Sequence, residues 1–157
     1  MGFQLFIEKI SPRELVLHRD GETLLRIKDR VVFQGAEPLW QIVHQGADMF
    51  CGTWQILAVG DRRLLASYRY ISTSYRYGED LRIRCPGVEA EFLFRRVHPE
   101  QDRWLLLSSG GDVLLEASAS SGPTGPWELR SVGSLEDRLL YPVICLLTFD
   151  RLVSGRI

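Results

Sequence analysis

A chain of 157 residues with a formal net charge of -1 has the length of one domain, of the size that hides about 70% of its unfolded surface on folding. Near neutrality gives no global attraction to nucleic acid or to an acidic membrane, so any such affinity has to come from local clustering of charge. Cys51, Cys85 and Cys145 are odd in number and far apart, which excludes a disulfide framework and points to a reducing compartment.

The opening MGFQLFIEKISP alternates Phe3, Leu5 and Ile7 in the manner of a strand. It lacks a basic region leading into an apolar run, and Phe6 stands where a myristoylation signal needs Ser or Thr, so a soluble, cytoplasmic protein is expected. Leu15 and Leu17 precede Asp20-Gly21 while Leu25 and Ile27 follow it, a hairpin whose turn supplies the positive φ angles of a tight connection. Val31 to Phe33 and Leu39 to Val43 are the next strands. Phe50 to Val59 and Leu64 to Tyr70 then flank Gly60-Asp61, and Leu81 to Cys85 and Val88 to Val97 flank Pro86-Gly87. Trp104 to Leu107 and Val113 to Ala117 flank Ser108 to Asp112. With a piece around Tyr75 to Tyr77 and with Trp127 to Val132, the total is roughly a dozen strands. Ser118 to Pro126 (SASSGPTGP) is too poor in apolar groups to order itself and reads as an exposed loop.

Leu139 to Phe149 (LLYPVICLLTF) carries no charge and, at helical spacing, is apolar on every side. Such a helix is either enclosed by protein or placed in a bilayer. Spanning needs about 20 apolar residues, more than this stretch holds, so enclosure is expected over about 139-153. Pro142 lies too deep for one uninterrupted helix from a cap at Ser134, and the preferred reading starts the main helix with Pro142 near its first position. A dozen antiparallel strands close most simply into a barrel, which removes exposed edges and leaves a lumen too wide for its own side chains. The expected fold is therefore mainly β: one domain over 1-157, a closed antiparallel barrel of about twelve strands enclosing a hydrophobic C-terminal helix.

The apolar Leu139 to Leu152 segment with its Phe149-Asp150-Arg151-Leu152 tail, and the strand, Asp/Gly turn, strand units at Leu15 to Ile27 and Trp104 to Ala117, resemble the tubby C-terminal-like family, which includes phospholipid scramblases and plant LURP-one-related proteins. The resemblance implies a barrel of about twelve strands wrapped around a C-terminal helix. It also implies binding at a membrane surface or to a partner, and it assigns no functional residue.

The signatures of catalysis are absent from the sequence. His18, His44, His98 and the three cysteines show no metal-ligand spacing. Ser108-Ser109-Gly110-Gly111 lacks the nucleophile elbow and sits where a turn is needed. Gly122-Pro123-Thr124-Gly125 is not followed by the Lys-Ser/Thr of a phosphate loop. No enzyme activity, cofactor or metal is expected.

Charge is unevenly spread. Arg62, Arg63, Arg69, Arg76, Arg82 and Arg84 stand against Glu79 and Asp80 (6 - 2 = +4), whereas Asp112 to Asp150 holds six acids against Arg130 and Arg138 (2 - 6 = -4). Within the basic stretch Tyr68-Arg69-Tyr70 is repeated as Tyr75-Arg76-Tyr77, and a strand pleat sorts aromatic from cationic side chains. Tyrosines packed against the barrel with solvated arginines outside is the preferred reading, and a platform for phosphate groups or stacked bases is the other. The expected function is a non-catalytic binding module for anionic phospholipid headgroups, with Arg69, Arg76, Arg82 and Arg84 as the ligand contacts. A soluble protein-interaction domain is the alternative, and a carrier of a small apolar ligand ranks behind it. Nucleic acid is not expected as a partner.

Overall fold

The computed structural model describes residues 3-11, 13-48, 51-70, 80-88, 91-97, 103-119, 127-133 and 135-148. Twelve strands come first in the chain: β1 (Gln4–Ser11), β2 (Glu14–Arg19), β3 (Glu22–Lys28), β4 (Val31–Gln34), β5 (Glu37–Asp48) and β6 (Cys51–Ala58), then β7 (Leu64–Tyr70), β8 (Asp80–Arg84), β9 (Phe92–Arg96), β10 (Arg103–Leu107), β11 (Val113–Ala119) and β12 (Trp127–Ser131). One helix, α1 (Asp137–Thr148), follows them. Each strand pairs antiparallel with its chain neighbour, and β12 returns to pair with β1, so the sheet closes on itself as a barrel. The expected Tyr75 to Tyr77 strand lies outside the described residues.

Turn chemistry explains the meander. Asp20 and Gly21 both take positive φ (51° and 85°), the backbone that lets a two-residue turn follow the twist of its strands. Asp29 and Arg30 do the same between β3 and β4 (51° and 67°) without any glycine. Ser108 binds the β10–β11 turn: its backbone N–H donates to the Asp112 carbonyl at 2.8 Å and its hydroxyl accepts from the Asp112 N–H at 3.1 Å. One register differs from the sequence reading. After Pro86-Gly87 the Val88 N–H donates to the Cys85 carbonyl at 3.1 Å, and β9 sets Phe92 opposite Ile83. A minimal two-residue loop would have set Glu89 across from Arg84; the longer connection sets Glu91 there instead.

Pleating sends one face of every strand inward. Leu5, Ile7, Leu15, Leu17, Leu25, Ile27, Val32, Ile42, Trp54, Ile56 and their counterparts on later strands are buried and form one core with the helix. Pro142 through Leu147 are all buried, so α1 is enclosed on every side. The helix lies nearest β7 and β6, whose buried inward residues are Ala66 and Tyr68 on the one and Trp54 and Ile56 on the other. On the far wall Phe94 stacks on Trp104 at 4.8 Å and 7°, beside Trp127.

The helix runs through Pro142 rather than starting at it. Glu136 begins the hydrogen-bond ladder, its carbonyl accepting from the Leu140 N–H at 2.9 Å, and Pro142 falls inside the second turn. The missing proline N–H removes the bond that the carbonyl of Arg138, an exposed residue, would have accepted within the helix. Arg19, at the end of β2, holds this end of the helix to the barrel. Its guanidinium donates to Tyr141 Oη at 2.6 Å, lies 3.8 Å from the Asp137 carboxylate and sits 4.3 Å over the Phe3 ring. Residues 149-153 of the expected helix lie outside the described residues.

Candidate anion-binding face

On β7 and β8 the pleat separates function from core. Ala66, Tyr68 and Ile83 point inward and are buried, whereas Arg69, Arg82 and Arg84 are exposed on the outer face. Ser67 pairs with Arg84 and Tyr68 with Ile83. Continuing that register by one residue sets Arg69 across from Arg82. Two like charges facing each other on neighbouring strands repel, and neither arginine makes an ion pair with a described residue. Thr53 flanks Arg69 on β6, and Leu93 flanks Arg82 on β9. Arg84 is 75% exposed and donates through Nη2 to Glu91 Oε1 at 3.3 Å. Asp80 faces Arg95 in register one row further up. Three of the four expected contact residues thus share one face; Arg76 lies outside the described residues.

The wall made by β10, β11 and β12 behaves differently. Glu116 accepts from Arg130 Nη2 at 2.7 Å and from Arg103 Nη2 at 3.1 Å, and these contacts, Arg130 first, hold its carboxyl below the usual range. Those arginines are already engaged by an acid of the same wall. Among the described residues, no acid engages Arg69 or Arg82.

Two spaces differ in kind. A concave cleft of about 450 Å³ opens at one end of β7 and β8, lined by Ser67, Arg84 and Glu91 together with Leu64, Cys85 and Val88. Its volume falls within the range of small-ligand sites, about 300–1,000 Å³. The second is an apolar cavity of about 40 Å³ inside the barrel, between α1 and the far wall at Phe94, Trp104 and Trp127. It is well below that range because the helix fills the lumen.

Other chemistry is muted. Among the described residues no three of His, Cys, Asp and Glu come together as a metal site. Burial pushes the Cys85 thiol up and that of Cys145 up to about 12, which keeps both protonated and unreactive near neutrality. His18 shares a contact with Thr23 at 3.3 Å, and His44 packs on Trp54 at 4.7 Å. Glu91 and Ser67 were not singled out by the sequence. Alternation along β7 would have placed Ser67 outward with Arg69, but the partner of Arg84 depends on a loop length that alternation does not encode.

No protein-family model matches the chain, and no curated protein matches it. Among solved structures it is similar to a protein of Arabidopsis thaliana determined by X-ray crystallography, with a TM-score of 0.61 and 11% identity over 93% of this chain and 89% of that one. The likeness is one of fold: a closed barrel with a C-terminal helix. Among the described residues no helix is long and apolar enough to cross a membrane.

Proposed function

We propose that this chain is a non-catalytic binding module of the tubby C-terminal-like kind, attaching to anionic phospholipid headgroups at a cytoplasmic membrane surface through the outer face of β7 and β8. The observation that carries the proposal is the exposure of Arg69 and Arg82 on paired strands, each next in sequence to a member of the Tyr68–Ile83 pair, with no described acid between them. Self-repulsion of the two arginines is relieved by a phosphate, whose oxygens accept forked hydrogen bonds from guanidinium groups. Near a charged leaflet each such arginine contributes about 1 kcal/mol, and the attraction fades over a Debye length as salt rises. Arg84, three-quarters exposed on the same face, extends the patch downward.

Co-sedimentation with anionic and neutral vesicles tests the reading. Wild type should pellet with anionic vesicles at low salt and less so at physiological salt. The Arg69→Glu/Arg82→Glu variant should lose about tenfold or more in affinity while keeping its wild-type melting transition. If wild type shows no anionic preference at low salt, the membrane reading fails, and a soluble protein-interaction domain becomes the reading to pursue by pull-down.

A further inference from the structure

Resting on that membrane reading, we propose that the cleft beneath the arginine pair selects a zwitterionic headgroup, a phosphate ester with a primary ammonium two carbons away. Three of the residues that line the cleft form one row: Ser67 on β7, Arg84 on β8 and Glu91 just before β9. A cation donor, a carboxylate and a neutral hydroxyl therefore stand side by side, between the apolar flanks of Leu64 and Val88. The Arg84–Glu91 contact is loose: at 3.3 Å it exceeds the roughly 2.7–2.9 Å of a tight charge-assisted hydrogen bond. Each partner keeps unused capacity. Most of the Arg84 side chain faces solvent, and Glu91 Oε2 is shut off from solvent with no hydrogen-bond partner among the described residues, a costly state for a carboxylate oxygen.

Arg82 and Arg84 lie on the same side of β8, two residues and about 7 Å apart, and a phosphate can be gripped between them. An ammonium two carbons from that phosphate then comes level with Glu91, and a turn of the Glu91 side chain presents Oε2 to it. A primary ammonium donates three hydrogen bonds, whereas a trimethylammonium donates none, so phosphoethanolamine fits this row and phosphocholine does not. Ser67 is placed to donate to a remaining phosphate oxygen.

The test holds surface charge constant and changes only the ammonium. Vesicles of phosphatidylglycerol in phosphatidylethanolamine are compared with vesicles holding the same fraction of phosphatidylglycerol in phosphatidylcholine. The ethanolamine vesicles should bind wild type about two- to fivefold tighter, the scale of one exposed charged contact. Glu91→Gln should erase that difference and still bind both vesicles, and Val88→Trp, which crowds the cleft without altering a charge, should do the same. Equal binding of the two vesicles by wild type, or a difference that survives in Glu91→Gln, overturns the headgroup inference and leaves the electrostatic reading standing. If neither vesicle is bound, the membrane reading fails, and soluble phosphoethanolamine is titrated against phosphocholine by calorimetry. A Glu91-dependent preference for phosphoethanolamine there keeps the cleft as a site for the free compound; no preference overturns it.

Discussion

Arg19 shows how much one side chain can hold together. It engages Tyr141, Asp137 and the Phe3 ring at once, joining β1, β2 and the helix at the end where α1 enters the barrel. Tyr141→Phe removes one hydrogen bond to a charged donor and should cost about 1–2 kcal/mol; Arg19→Ala removes all three contacts and should cost more, read as a lower urea midpoint with unchanged slope. Lys at position 19 should recover little, because an ammonium cannot span a phenol, a carboxylate and a ring face together. Cys145 carries a different kind of information. Its thiol is raised to about 12 from an ordinary 9.0, so above pH 9 the unfolded chain releases a proton that the folded chain keeps. Stability attributable to this group is complete below pH 9 and declines between about pH 9 and 12, by about 1 kcal/mol per pH unit. At neutral pH neither Cys85 nor Cys145 should react with a maleimide until denaturant is added. Glu116 works in the opposite sense: its lowered carboxyl contributes above its unfolded value near 4.5 and is lost as pH falls further. Glu116→Gln should therefore lower the melting point slightly at pH 7, with a cost of at most about 1 kcal/mol for so exposed a network, and the difference should close in acid.

At the level of elements, the helix and the wall it leans on form one core. Ala66 is a fully buried inward residue of β7, the strand nearest α1, so Ala66→Leu should overpack the core there and destabilise the fold by about 1–3 kcal/mol. Ile144→Asp or Leu146→Asp places an unpaired charge in a fully buried position, a cost of several kcal/mol that consumes most of a domain's stability, and neither variant should yield a soluble, cooperatively melting protein. Much of this architecture is legible in the sequence because its signals are local. Asp20-Gly21, Gly60 and Gly87 mark turns where the backbone takes positive φ, and an uncharged run that is apolar all round has to be enclosed. What escaped the reading is set by tertiary context. The turn at Asp29-Arg30 uses left-handed residues with no glycine to announce them. Pro142 is accommodated because the carbonyl it strands belongs to an exposed residue, a property of where the helix meets the barrel end rather than of the local sequence.

For the molecule as a whole, the uneven charge along the chain becomes an uneven charge around the barrel. The +4 stretch supplies β7 and β8, whose described arginines face outward, while on β10 to β12 arginines are tied to Glu116. Arg69, Arg82 and Arg84 were therefore identifiable as one set from composition and strand alternation. Glu91 was not, since its place beside Arg84 follows from a β8–β9 register shifted by two residues from the shortest hairpin. A barrel that binds a charged surface through one wall must do so in a single orientation, with β7 and β8 toward the lipid and the β12–β1 seam away from it. That orientation is open to direct measurement by paramagnetic relaxation in amide NMR spectra of wild type on anionic vesicles doped with a spin-labelled lipid. The account predicts that broadening concentrates at the amides of Arg69, Arg82 and Arg84 and spares those of Gln4 and Arg130. Broadening spread evenly around the barrel, or centred on the β12–β1 seam, would contradict it.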